Sequence, residues 1–348
     1  MRKSSIAKKV VAAAVLVVLM GAVAIAAFIA WDGYMNRREV PPRPVSVKID
    51  EGMTATQIAN ILEDKKVIKN AIVFRFIVKK QGVGENFKPG EYELKTDMAY
   101  DEVIKILVEG PPIEYISLTL PEGWTAKQMS ERVESLTGIN KDDYLQAVKE
   151  GKLLVEYPFL KNSGAPTKDL EGYLYPETYK VERGITAEEF INIQLSQFQE
   201  RTSNLNWSNA QARGRTPYEI VIIASMIERE TIVNDERPIV AAVIYNRLAK
   251  GMPLQIDATV QYALPQWKDR LMFEDLKIES PYNTYKHKGL PPGPICSPSS
   301  SSIDAALNPT DDKYLYYVLA GDNSGRHVFS NTYNEHINAK NQYKANQR

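Results

Sequence analysis

The chain has 348 residues, 44% hydrophobic and 25% charged, with a formal net charge of zero; that is enough for two domains, or one domain with a smaller appendage. Residues 1–38 hold six Lys/Arg against one Asp, so the remaining 37 basic and 42 acidic residues leave the main body acidic, which argues against a nucleic-acid partner. Cys296 is the only cysteine, which excludes an intramolecular disulfide and a thiolate-rich metal site.

Arg2, Lys3, Lys8 and Lys9 precede an uncharged apolar run from Val10 to Ala30. As a helix such a run spans roughly 30 Å of hydrocarbon. Basic residues in front favour a cytoplasmic N-terminus and an extracytoplasmic remainder. The segmentation expected is a cytoplasmic 1–9, a transmembrane anchor over 10–31 and a linker over 32–44. Ala24-Ile25-Ala26 resembles a signal-peptide cleavage site, but the apolar run exceeds the usual signal-peptide core. Pro41-Pro42-Arg43-Pro44 reads as a stiff spacer.

An internal repeat follows. Ser46 to Ile58 recurs as Ser117 to Met129: alternating residues, a turn at Glu-Gly (51–52 and 122–123), then a helix opened by a Thr-x-x-Gln capping box at Thr54/Gln57 and Thr125/Gln128. A second helix is expected over Asn70 to Lys80, a return strand over Gly90 to Leu94, and a further helix over Ala99 to Glu109. Strand, helix, helix, strand over residues 45–95 resembles the LysM module, which binds N-acetylglucosamine polymers. We therefore expect a LysM-like βααβ domain over 45–112, with a positioning module lacking sugar affinity as the alternative.

From 130 to 210 the pattern is mostly helical. It is interrupted at Asn162 to Pro166 and at Glu171-Gly172-Tyr173-Leu174-Tyr175-Pro176-Glu177-Thr178-Tyr179. On an extended backbone these tyrosines would line one face and could stack on sugars; core packing is the alternative. Thr216-Pro217-Tyr218-Glu219 then reads as a capped helix start. Ile220 to Ile227 is apolar almost throughout, the pattern of a helix buried within a domain. Glu228 arrives about three turns in. Burial disfavours the charged form of such a carboxyl, as a general acid working near neutral pH requires. The competing explanation is a helix end paired with Arg229 or Arg247.

Another helix starts at Asn234 to Pro238, with Ile239, Val243, Ile244 and Leu248 as its buried stripe and Gly251 just past its end. The alternation through Met252 to Val260 suggests a strand with Gln255, Asp257 and Thr259 on one side. The segment Asn283/Thr284 and the Gly/Pro-rich loop 289–298 are expected to line the cleft. A hairpin over Tyr314 to Ser330 and an amphipathic helix complete the chain. His287, His327 and His336 lack metal-motif spacing, so no metal and no cofactor is expected.

The motifs Ala224-Ser225-Met226-Ile227-Glu228-Arg229-Glu230-Thr231, Asn246-Arg247-Leu248, Leu254 to Val260, Tyr282-Asn283-Thr284-Tyr285 and Gly289 to Ile295 occur in an order and spacing that resembles the MltG (YceG-like) family of endolytic murein transglycosylases. Ala258 departs from the proline some members carry. The resemblance implies a mixed α+β catalytic domain over 113–348 with Glu228 as its acid/base. It implies non-hydrolytic cleavage of the β-1,4 bond between N-acetylmuramic acid and N-acetylglucosamine within glycan strands, leaving 1,6-anhydro ends. Tyr175, Glu177, Asn246, Gln255, Asp257, Thr259, Asn283 and Thr284 are the expected substrate contacts. Expected partners are peptidoglycan, the membrane, and penicillin-binding proteins with other wall-synthesis or division proteins, in a role that terminates nascent strands. A hydrolase would need a second carboxylate, for which Glu230, Asp257 and Glu177 are candidates. A non-catalytic wall-binding scaffold is the other alternative.

Overall fold

The computed structural model describes residues 3–35, 41–112, 114–151 and 157–346, with side chains of the first helix described over 15–31. The side chains of Arg2, Lys3, Lys8 and Lys9, residues 36–40 of the expected linker and the boundary residue Ile113 therefore lie outside the described residues. Helix α1 (Lys3–Met35) is 33 residues long. Its described stretch exposes Val15, Leu16, Val17, Val18, Leu19 and Met20. Among the described residues, no helix is long and apolar enough to cross a membrane.

The chain divides into two compact units, Met1–Ile113 and Glu114–Arg348. In the first, β1 (Pro44–Ile49), α2 (Ala55–Asp64), α3 (Ala71–Gln81), β2 (Gly90–Lys95) and α4 (Tyr100–Glu109) follow in the expected order. β1 and β2 pair antiparallel, Val47 facing Tyr92. The alternation of β1 and β2 puts Val47, Ile49, Tyr92 and Leu94 into a core shared with Ile58, Leu62, Phe74 and Leu107. Asn70 caps α3 by accepting from the N–H groups of Ile72 and Val73.

The second unit contains β3 (Tyr115–Thr119), α5 (Ala126–Thr137), α6 (Lys141–Glu150), α7 (Pro158–Lys161), β4 (Thr178–Glu182), α8 (Ala187–Thr202), α9 (Ser208–Ala212), α10 (Pro217–Glu230), α11 (Arg237–Ala249), α12 (Asp257–Ala263), α13 (Ser300–Leu307), β5 (Tyr316–Leu319), β6 (His327–Ser330) and α14 (Tyr333–Asn346). Helices dominate; β3 pairs with β4 and β5 with β6, each an antiparallel two-stranded sheet. Both repeat copies form strand, turn and helix with a complete Thr/Gln capping box.

α10 lies at the centre of this unit and packs on α11, α12 and α13. Every residue from Ile220 to Ile227 is buried, as its unbroken apolarity requires. Gly251 follows α11 in a left-handed conformation with its N–H bonded to the Leu248 carbonyl. In the stripe of α11, Val243 and Ile244 are buried while Ile239 and Leu248 are half-buried.

Two local expectations are corrected. Residues 252–260 are not a strand: Gln255 takes a left-handed backbone at φ 52°, and α12 begins at Asp257. Gln255 and Asp257 are consequently exposed while Thr259 is buried, so the three do not share a face. The tyrosines of 173–179 do not form an open row either. Tyr173 and Tyr175 meet Phe198 edge-on, Tyr179 meets Phe190 edge-on, and all three are buried.

Candidate active site

Thr216 caps α10, with Glu219 returning a bond to the Thr216 N–H at 2.9 Å and Pro217 in the first turn. This fixes the start of a helix that carries Glu228 to its far end. The Glu228 side chain is 5% exposed and does not stand alone. Arg237, itself buried, reaches Oε1 through Nη2 at 3.1 Å. Ser299 donates twice to Oε2, from its backbone N–H at 2.9 Å and its hydroxyl at 2.6 Å. Arg237 Nη1 also donates to the Ser299 hydroxyl at 2.7 Å and to the Ser301 hydroxyl. Both carboxylate oxygens are thus engaged by charge-assisted donors.

The partner is therefore neither Arg229 nor Arg247. Arg229 donates to the Gly123 carbonyl at 3.3 Å and lies 4.6 Å over the Trp267 ring. Arg247 is committed to the carbonyls of Leu315 and Leu254 at 2.6 and 2.7 Å.

Ser299 is delivered by the 289–298 loop, which docks on α10. The Ile295 N–H donates to Ser225 Oγ, the Cys296 thiol reaches the Ser225 carbonyl, and Tyr218 donates to the Pro292 carbonyl. Ser299 then caps α13, so Glu228 sits at that helix's positive end. Burial pushes the Cys296 thiol well up, which leaves it a packing residue. Gly172 makes this docking possible: a Cβ there would lie 2.5 Å from Pro294 Cβ and 3.0 Å from Val221, on a backbone at φ 86°.

The Glu122-Gly123 turn closes the other side. Gly123 donates to the Ser297 carbonyl at 3.0 Å and Ser297 to the Trp124 carbonyl at 2.8 Å. A Cβ on Gly123 would stand 3.7 Å from Glu228 Cγ. The Glu122 carboxyl is raised above the usual range, first by partial burial and then by the Glu228 charge, with Arg237 opposing. The turn of the second repeat copy thus packs against Glu228.

The expected substrate contacts carry hydrogen bonds and ion pairs of their own, and the charge of one, Glu177, also raises the Glu122 carboxyl. Glu177 is paired with Arg201 at 2.6 Å. Asn246 donates to the carbonyls of Asp312 and Tyr314, and Asn283 to those of Leu276 and Ile278, so both staple backbone. Thr284 and Thr259 are buried and bonded to one another at 2.9 Å, with Thr284 also accepting from the Ile256 N–H. Tyr175 is 7% exposed. Gln255 and Asp257 do come together, lining a cavity of about 460 Å³ with Glu230, Arg247 and Tyr285. Burial pushes Glu230 up to about 7, partly offset by a 2.6 Å bond from Tyr317.

A family model described as YceG-like matches residues 47–342. The chain belongs to the YceG-like family. It is 35% identical over 311 residues to an endolytic murein transglycosylase of Bacillus subtilis, across 86% of this chain and 84% of that protein. It is 32% identical over 317 residues to an endolytic murein transglycosylase of Streptococcus pneumoniae, across 84% of this chain and 57% of that one. Among solved structures, it is similar to a YceG-like protein of Listeria monocytogenes, with TM-score 0.57, 36% identity, and 86% and 99% of the two chains covered.

Sequence reasoning missed Arg237, Ser299, Ser301 and Glu122 around Glu228. Arg237 reads as part of a helix start, and the four serines from 299 to 302 lie just past the loop expected over 289–298. The Glu-Gly turn was visible as a repeat, but nothing in its spacing points at Glu228.

Proposed function

We propose that this chain is a peptidoglycan lytic transglycosylase in which one carboxyl, Glu228, does both proton transfers. The observation that carries this reading is the placement of Glu228: a buried carboxyl on the central helix, gripped by Arg237 and Ser299. The names of the bacillar and streptococcal relatives point the same way. In the protonated state Glu228 gives its proton to the glycosidic oxygen as the bond to the muramoyl C1 breaks. Its carboxylate then takes the proton of that sugar's C6 hydroxyl as O6 closes on C1, and no water is consumed. Arg237 and Ser299 keep the carboxylate in place for the second transfer. Mass spectrometry of sacculus digests tests this: Glu228→Gln should abolish anhydro-ended products while retaining the fold. Wild-type release by that variant would sink the assignment.

A second reading, a muramidase-type hydrolase of the same bond, draws on the Glu122-Gly123 turn, which packs against Glu228 and so puts a second carboxyl in its neighbourhood. Its products are heavier by one water.

We further infer that α1, with its uncharged run from Val10 to Ala30, anchors the chain in the plasma membrane with the N-terminus cytoplasmic. Residues 45–112 act as a LysM-like module, supported by the β1-α2-α3-β2 order and a groove of about 1040 Å³ beside Thr54, Phe76 and Gly82. Such a protein works beside wall-synthesis partners such as penicillin-binding proteins, ending nascent strands. Full-length protein in the membrane fraction, and a 40–348 fragment in the soluble fraction, is the expected outcome of fractionation.

A further inference from the structure

We propose that Trp267 is a stacking platform that holds one sugar ring of the glycan strand beside Glu228, at the mouth of a cavity floored by Glu171. The proposal rests on the transglycosylase reading and adds a subsite to it.

Trp267 belongs to the segment that follows α12 and is 47% exposed. A tryptophan on a loop ordinarily loses freedom when it captures a ligand, which weakens binding. Here the ring is held beforehand. The Arg229 guanidinium lies 4.6 Å from its centroid, and the same guanidinium donates to the Gly123 carbonyl beside Glu228. The loop is pinned as well: Lys127 donates to the Pro265 carbonyl at 3.1 Å, Lys268 N–H to the Gln261 side chain at 3.2 Å, and Lys268 pairs with Asp275 at 2.5 Å. One side chain, Arg229, therefore separates the tryptophan from the turn that touches Glu228.

Next to Trp267 opens a cavity of about 570 Å³, within the range of small-ligand sites. Lys127, Gln128 and Tyr262 line it, with Glu171 at its floor. Glu171 is buried, accepts the Ala126 N–H on both oxygens at 3.1 Å, and faces the Tyr262 hydroxyl at 3.4 Å. Burial pushes it up to about 8, so near neutral pH it carries a proton to offer. A pyranose ring presents a flat C–H face to an aromatic ring and hydroxyl and acetamido groups around its edge. An aromatic wall with mixed donors and acceptors beyond it fits that chemistry. Met272 and Phe273, on the same loop, are 60% and 86% exposed.

The test uses the full chain carrying Glu228→Gln, in detergent micelles, titrated calorimetrically with peptide-free glycan strands. Adding Trp267→Ala should weaken binding about three- to tenfold, and Trp267→Phe should restore most of it. Thermal unfolding of each variant checks that the loop change leaves the fold intact. Equal affinity of the alanine and parent proteins would overturn the subsite. Failure of the wild-type chain to release anhydro-ended products would instead overturn the transglycosylase reading, and leaves the binding result standing.

Discussion

Glu228 and Ser299 are joined by two hydrogen bonds to one oxygen, at 2.9 Å from the backbone N–H and 2.6 Å from the hydroxyl. The pair links the last turn of α10 to the first turn of α13, and Arg237 bonds to both members. Charge, helix end and loop anchor are therefore one unit, and removing a member leaves each of the others buried one partner short.

Arg237→Met should for that reason cost about 3–5 kcal/mol, the range for stripping one partner from a buried ion pair. Combining it with Glu228→Gln should cost clearly less than the two changes summed, because the uncompensated charge is gone. Urea unfolding of the three variants measures the coupling. Strict additivity would mean that the two groups do not depend on each other.

Gly172→Ala meets two penalties together. The left-handed backbone costs a non-glycine residue roughly 1–2 kcal/mol, and the new methyl runs into Pro294 and Val221. The total should reach about 3 kcal/mol by denaturant titration. Because Pro294 belongs to the loop that presents Ser299, activity should fall in whatever fraction remains folded. A variant as stable and active as wild type would remove Gly172 from the account of the site.

Asn283 separates scaffold from substrate contact. Its amide donates to two carbonyls at 2.9 Å each and its oxygen accepts from the Tyr285 N–H at 3.0 Å, in a side chain with no exposure. Asn283→Ala should lose about 1–3 kcal/mol of stability from the unpaired buried groups. KM and kcat of the folded protein should move together rather than KM alone. A stable variant with raised KM would return Asn283 to the substrate.

What was legible in the chain was local. The capping boxes at Thr54, Thr125 and Thr216 each span four residues, and all three form as written. The burial of α10 followed from an apolar run that no exposed helix would carry, which is why Glu228 could be singled out. Its partners were illegible because Arg237 lies nine residues away and Ser299 seventy-one, and only the docking of loop 289–298 brings them in. The alternation at 252–260 misled because one left-handed residue, Gln255, resets the backbone before a helix. The tyrosines of 173–179 misled because an aromatic row has the same spacing whether it faces a sugar or Phe198.

Glu171 sets the pH dependence of stability. An unfolded glutamate gives up its proton near pH 4.3, roughly, whereas burial moves the folded group up to about 8. Below the unfolded value both states hold the proton and the contribution of Glu171 is fully present. Between the two values the unfolded chain releases a proton that the fold keeps, so stability declines as pH rises, and the decline ends once pH passes the folded value. Glu230, pushed up to about 7, adds a decline of the same sign that ends earlier. Glu171→Gln preserves an acceptor for the Ala126 N–H and removes the titration. Urea midpoints measured from about pH 5 to 8 should therefore fall less steeply in Glu171→Gln than in wild type. The variant should gain most, relative to wild type, at the alkaline end. Parallel curves for the two proteins would show that Glu171 is charged in the fold across this range, and its burial would then need a cation partner among the residues of that cavity.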